Sequence, residues 1–385
     1  MGRPLPQQLA GPLLTIAVLP VLLLGCSHPP SQPEPAPPVP AANPPTAGGC
    51  ADLAALSIRD KLAQLLMVGV RDAEDARSVV SNHHVGGIFI GSWTDLTMLT
   101  DGALAEITDS AGPLPLAVSV DEEGGRVSRL SSLIGSSPSA RELARTHTVD
   151  QVYALALDRG RQMHDRGITV DFAPVVDVSD AADDTVIGDR SFSADPARVT
   201  EYAGAYARGL RDAGVLPVLK HFPGHGHGSG DSHTGGVSTP PLADLQNNDL
   251  VPYRSLVTEH PVAVMLGHLQ VPGLTGDQPA SLSPAAVHLL RTGSGYHAPP
   301  FGGPVFSDDL SSMAAINERY GVAEAVLHTL QAGVDVALWV TTAEVPAVLD
   351  RLEKAVAAGE LATPAIEASV ARVAAVKKPD SHCGG

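Results

Sequence analysis

The chain is poor in positive charge: 25 Lys and Arg stand against 42 Asp and Glu in 385 residues, a formal net charge of −17. That balance argues against a nucleic-acid partner and against docking on an acidic membrane surface through basic residues. Cysteine is scarce too, at Cys26, Cys50 and Cys383, and none lies near the chain's histidine-rich segment, so the common thiolate zinc patterns are missing. No Gly-x-Gly-x-x-Gly turn follows the first candidate strand, which removes the main support for a doubly wound dinucleotide-binding sheet. Aromatics make up only 4 % of the residues, too few to build a stacking track for a polymeric ligand.

What is present begins with an address. Met1 to Gly25 carry one basic residue, Arg3, and an apolar run ending in Leu22-Leu23-Leu24, which reads as a signal peptide. Leu23-Leu24-Gly25-Cys26 has the form of a lipobox, so cleavage would leave Cys26 as a lipid-modified N-terminus; an ordinary cleaved signal with an incidental cysteine is the plainer alternative. Residues 26–49 are dominated by Pro, Ala and Ser and form a tether without core-forming side chains. Residues 50–378 suit one large α/β domain, and 379–385 are a tail. Cys50 and Cys383 bracket that domain and could pair in an oxidising compartment.

Within the domain, eight short apolar runs alternate with amphipathic stretches. The runs are Leu65–Val68, Gly87–Ile90, Leu116–Val120, Ile168–Phe172, Leu216–Lys220, Ala263–Leu266, Pro304–Ser307 and Val334–Trp339. Helical stretches are expected at Ala140–Thr146, Val149–Arg166, Asp195–Ala213, Ser283–Leu290, Tyr320–Ala332 and Thr342–Ala358. Eight strand–helix repeats predict a single (β/α)8 barrel, because parallel strands need crossovers and closure leaves no exposed edge. Asp121, Asp177, Lys220-His221, His268 and Asp308-Asp309 all fall at strand ends, so five strands would deliver polar groups to one mouth.

The densest chemistry is Lys220-His221-Phe222-Pro223-Gly224-His225-Gly226, followed after four residues by Asp231-Ser232-His233. Asp231 can orient and charge-stabilise His233, a pair able to exchange protons near neutral pH. Glycines at 224, 226, 228 and 230 would let the loop swing. A zinc site built from His221, His225, His227, Asp231 and His233 is the competing reading, but the spacing matches no common zinc pattern.

Lys-His-Phe-Pro-Gly-His-Gly with Asp-Ser-His following resembles glycoside hydrolase family 3, specifically its β-N-acetylglucosaminidase branch. Further blocks carry the likeness: Asp121-Glu122-Glu123-Gly124-Gly125-Arg126-Val127-Ser128-Arg129, Phe172 to Val178, Ile187 to Phe192, and Phe306-Ser307-Asp308-Asp309-Leu310. The resemblance covers nearly all of residues 50–378. It implies a retaining exo-β-N-acetylglucosaminidase with Asp308 as nucleophile and the Asp231/His233 pair as general acid/base. Asp309 is the rival nucleophile on spacing alone, with an N-cap role as its alternative.

Asp121, Arg129, Arg190, Lys220 and His221 would form the sugar-binding set, joined by Asp177 and His268 either in direct contact or behind those that touch sugar. Arg126 could simply pair with a carboxylate. No cofactor and no metal is expected. The expected partners are small peptidoglycan-derived saccharides and, through the lipid anchor, the membrane, with the enzyme a monomer facing the cell wall. A phosphorylase, with phosphate replacing water, is the nearest rival, and a non-catalytic sugar-binding lipoprotein is the reading from a different class.

Overall fold

The computed structural model describes residues 55–112 and 114–377, together with 2 and 53. The signal peptide, the tether, the tail and all three cysteines therefore lie outside the described residues.

Eight parallel strands form one sheet: β1 (Leu66–Val70), β2 (Gly87–Ile90), β3 (Ala117–Val120), β4 (Val170–Asp171), β5 (Leu216–Phe222), β6 (Ala263–Leu266), β7 (Val305–Ser307) and β8 (Ala337–Trp339). Neighbours in sequence are neighbours in space, β8 pairs with β1, and a bridge from Phe306 to Val336 joins β7 to the entry of β8. The sheet thus closes on itself as the expected (β/α)8 barrel. Every strand residue except Leu216 is buried, the outcome for a parallel sheet covered outside by helices and filled inside by its own side chains.

All six expected helices are present, with small differences at their ends, as Ala140–Thr146, Val149–His164, Pro196–Asp212, Pro284–Thr292, Val322–Ala332 and Val345–Ala357. Their starts are written locally. Thr148 and Gln151 form a capping box on Val149–His164, and Asp195 accepts from the Ala197 N–H while Pro196 opens the helix that follows. These two long helices pack tightly against each other. A Cβ on Gly209 would lie 2.6 Å from the Tyr153 carbonyl oxygen, so only glycine allows that approach. The two helices flank β4 in sequence, and the second leads into β5, which carries Lys220 to the mouth of the barrel.

Candidate active site

The strand ends converge as expected. A cavity of about 250 Å³ at the C-terminal mouth is lined by Asp121, Arg129, Arg190, Lys220, His221, His233 and Asp308, among others. Lys220 and His221 sit inside β5, which runs on to Phe222, rather than after it.

Three consecutive acids after β3 have three different tasks. Asp121 is partly exposed to the cavity and accepts from Lys220 Nζ at 2.6 Å. Glu122 is fully buried and accepts from Ser128 Oγ, the Arg129 and Leu130 N–H groups and Arg159, which holds the short hairpin Glu122–Gly124/Val127–Ser128 in place. Glu123 is paired with Lys220 at 2.6 Å and with Arg190 through two 2.8 Å hydrogen bonds. Burial alone would raise the Glu123 carboxyl, but the Arg190 and Lys220 charges outweigh it and hold the group far below the carboxylate range. Lys220 and Arg190 are correspondingly held in their charged forms, against burial, by Asp121 and Glu123 and by Glu123. The result is a fixed row of charges on the cavity wall. Glu123 was not singled out from the sequence, although it lies in the block that carried the resemblance.

Arg129 lines the cavity, and its guanidinium has no hydrogen-bonded partner among the described residues. Arg126 points elsewhere: it pairs with Asp189 at 3.3 Å and donates to the Asp183 carbonyl, as its alternative reading expected.

Asp177 and His268 do not line the cavity; both stand behind its wall. Asp177 is fully buried, accepting from His221 Nδ1 at 2.7 Å and from the His221 and His225 N–H groups at 3.2 and 2.7 Å. Burial pushes its carboxyl up, and the contacts with His221 and His225 bring it below the usual range. The His221 ring is thereby oriented with Nε2 toward Arg190 and the cavity. His268 donates from Nε2 to the Asp309 carbonyl at 2.7 Å and meets Ser281 Oγ through Nδ1 at 2.7 Å, which pins the exit of β7.

That exit separates the two adjacent aspartates. Asp309 commits both oxygens to the turn that follows: Oδ1 accepts from the Ser311 N–H and Oγ at 2.8 Å, and Oδ2 from the N–H and Oγ of Ser312. It caps that turn, while the short helix Ala314–Asn317 starts later, behind Met313. Asp308 accepts from the Asp309 N–H at 2.9 Å through Oδ1 and keeps Oδ2 unpaired among the described residues. Burial would raise the Asp308 carboxyl, but His268, His221, the Asp309 N–H and Lys220 hold it below its ordinary value, so it is an anion at neutral pH.

Across the cavity, Asp231 Oδ1 accepts from both the N–H and the Nδ1–H of His233, at 2.9 and 2.7 Å. Burial works to raise the Asp231 carboxyl, but the bonds with His233 outweigh it and leave the group below its usual range. One ring nitrogen of His233, Nε2, is left for chemistry. Among the described residues no histidines gather around a metal position; His221, His227 and His233 each pair with their own carboxylate, Asp177, Asp249 and Asp231.

The glycines of this loop differ from the sequence reading. Gly226 packs so closely that a Cβ would stand 1.8 Å from the Val178 carbonyl oxygen, and Gly224 and Gly228 are similarly crowded, so they anchor the loop's first half. Open space surrounds only Gly230, Gly235 and Gly236 among the loop's glycines, on either side of the segment carrying Asp231 and His233. Trp93, 45 % exposed just beyond β2, also lines the cavity and was missed, though the strand-end rule applied to it as well.

Residues 57–376 match the family described as glycosyl hydrolase family 3 N terminal domain. The chain belongs to glycoside hydrolase family 3. It is 69 % identical over 382 residues to the β-hexosaminidase LpqI of Mycobacterium tuberculosis, covering 97 % of this chain and 98 % of that one. A crystal structure of a family 3 glycosyl hydrolase from Mycobacterium smegmatis shares 76 % identity with a TM-score of 0.84, over 84 % of this chain and 98 % of that one. A family 3 β-N-acetylglucosaminidase from a Paenibacillus species shares 32 % identity with a TM-score of 0.78, over 86 % of this chain and 64 % of that one. The chain is accordingly a glycoside hydrolase of mycobacterial type on a (β/α)8 barrel.

Proposed function

We propose that this enzyme removes terminal β-linked N-acetylglucosamine from peptidoglycan fragments, with retention of configuration, through a covalent intermediate on Asp308. That it is a β-hexosaminidase follows from the family and from the 69 % identity over nearly the whole chain. The finer reading rests on one observation: Asp308, with a free anionic oxygen, and His233, braced by Asp231, face the same small cavity.

In the first step Asp308 attacks the anomeric carbon, the glycosidic C–O bond breaks, and His233 gives its Nε2 proton to the departing oxygen. Asp231 stabilises the imidazolium that this requires. In the second step neutral His233 takes a proton from water, the hydroxide oxygen bonds to the anomeric carbon, and Asp308 leaves as carboxylate. Lys220, Asp121, Arg190, Arg129 and His221 orient the ring. The cavity lies at the small end of ligand pockets, which suits one terminal sugar and exo action.

The lipobox at Cys26 and the proline-rich tether support a membrane-anchored, wall-facing monomer acting on N-acetylglucosaminyl-N-acetylmuramyl fragments. Cys26→Ala should move the protein from the detergent phase to the aqueous phase.

The deciding experiment uses 4-nitrophenyl-β-N-acetylglucosaminide and the matching glucoside, with and without phosphate. Release from the first substrate alone, lost in Asp308→Ala, supports the assignment; a sugar 1-phosphate product makes the enzyme a phosphorylase, and no release under any condition makes it a binding protein. His233→Ala given this activated substrate should accumulate one N-acetylglucosaminyl unit on Asp308, visible by intact mass and peptide mapping. Turnover without any such adduct counts against the covalent step.

A further inference from the structure

His225 takes no part in the chemistry just described, yet its surroundings are unusual. The side chain is 3 % exposed, and neither Nδ1 nor Nε2 has a hydrogen-bond partner among the described residues. Buried polar groups without partners weaken a fold, and they persist where something other than stability retains them. The backbone around this ring is held: its N–H donates to Asp177 Oδ1 at 2.7 Å, and its carbonyl accepts from the Gly228 N–H at 2.9 Å. The ring itself meets His221 edge to face, with centroids 5.7 Å apart, and Gly228 is packed against Nδ1.

His225 also lines the mouth cavity, together with His221, Ser232, His233 and Asp308. Burial, followed by the nearby His221, holds its pKa below the ordinary histidine value. A neutral imidazole offers one N–H donor and one lone-pair acceptor, which suits an uncharged polar partner such as a hydroxyl or an amide. His221, by contrast, has already committed Nδ1 to Asp177.

We propose that His225 is a further sugar-binding residue, with a ring nitrogen that is unpaired within the protein taking a hydroxyl or acetamido group of the N-acetylglucosaminyl unit above Asp308. The inference rests on the reading of this cavity as the sugar site. It explains why a ring with two nitrogens is kept at a buried position where neither nitrogen gains a hydrogen bond in the resting fold.

The test is His225→Phe, which keeps a ring and removes both nitrogens, beside His225→Gln, which keeps a neutral donor and acceptor. Three quantities are read on each: Tm, the rise in Tm caused by added N-acetylglucosamine, and kcat/KM on the 4-nitrophenyl substrate. The Phe variant should melt no lower than wild type, lose the sugar-induced rise in Tm, and fall about 10- to 100-fold in kcat/KM; Gln should recover part of the loss.

A Phe variant with kcat/KM within twofold of wild type and an intact sugar-induced shift would overturn the proposal, since ordered water alone would then be the ring's partner. So would a lowered Tm with unchanged sugar affinity, the mark of a purely structural residue. Should the Phe variant not fold, calorimetric affinity of Gln and wild-type proteins for N-acetylglucosamine decides: equal affinities with equal kcat/KM refute it, and weakened binding upholds it. Wild-type protein inactive on the substrate would instead remove the functional reading itself, a result separate from any of these.

Discussion

The two ends of the barrel each hold a cavity, and the larger is the less reactive. At the floor, where strands begin, about 380 Å³ is walled by Met67, Leu116, Val170, Leu216, Phe306 and Val336, with the C-terminal helix Thr363–Lys377 reaching across it. At the mouth, where strands end, about 250 Å³ is walled by charged and imidazole groups that neutralise and orient one another. Size therefore does not mark the chemistry. The direction of the strands does, because each βα loop can carry a polar side chain to the mouth while the floor is closed by strand starts selected for packing. If this division of labour is right, substitutions at the mouth should remove activity while leaving stability, and substitutions at the floor should do the reverse.

The sharpest break of that comparison is Asp308→Asn. It should lower kcat by about 10⁴- to 10⁶-fold, since the nucleophile is lost while the surrounding charges stay in place. Tm should stay within a few degrees of wild type, because among the described residues Asp308 accepts only one hydrogen bond, from the Asp309 N–H. Residual activity above that range with retained configuration would transfer the nucleophile's role elsewhere. The neighbour makes the control: Asp309→Asn loosens a carboxylate bonded to Ser311 and Ser312 and should lower Tm as well as activity.

At the floor, Phe306→Ala should cost about 3–5 kcal/mol of stability, the usual range for truncating a buried aromatic. Phe306 is 4 % exposed and meets Phe172 edge to face at 5.6 Å. Equilibrium unfolding in urea reads the loss, and KM at a temperature where the variant is folded should stay close to wild type. A large change in KM would mean that the two ends are coupled through the barrel interior.

The division between the ends was unevenly legible in the sequence. The barrel could be read because eight apolar runs and six amphipathic stretches follow local periodicity, and a parallel sheet buries both faces of every strand. Asp308 and Lys220 could be picked out because polar residues at the ends of apolar runs emerge at the mouth, and His233 because it stands two residues from Asp231 in a histidine-rich loop. What could not be read is which of several adjacent polar residues faces the cavity. Asp121, Glu122 and Glu123 are chemically alike in sequence, and only the hairpin that folds back over Arg159 decides which one is structural. Asp177 and His268 passed the same strand-end test as His221, yet a hydrogen bond sets each behind the wall. The loop glycines misled for a related reason: crowding against Val178, Val237 and Asp249 is a tertiary fact that no local pattern contains.

Trp93 gives a milder test of the mouth. Its exposed ring at the cavity rim can stack on a sugar face outside the reacting unit, a contact shared by ground state and transition state. Trp93→Ala should raise KM for a disaccharide by about 10-fold with kcat nearly unchanged, a loss of about 1.4 kcal/mol of binding. The effect should shrink on the 4-nitrophenyl substrate, whose aglycone offers no second sugar. An equal loss on both substrates would place Trp93 against the terminal sugar itself.

The smallest effect belongs to the floor, at Lys377. Its side chain reaches the floor cavity and donates to the Gly86 carbonyl at 2.5 Å, and burial pulls its pKa from 10.5 down to about 7. The unfolded chain, with an ordinary lysine, binds more protons than the folded one between about pH 7 and pH 10.5, so stability rises with pH across that window and is lost as pH falls through about 7. His164 and Arg211 also line this cavity. Lys377→Met keeps the chain length and removes the titration. Because the Lys377 side chain is only partly buried, solvent screening cuts the gain well below the full linkage value: the variant should melt about 2 °C higher near pH 7, a gain of about 1 kcal/mol, and the wild type's advantage from raising the pH to 10 should disappear, with activity at the mouth unchanged. A wild type whose Tm is flat between pH 7 and 10 would show that the amine stays hydrated and charged, and that the floor is more open to water than its apolar wall suggests.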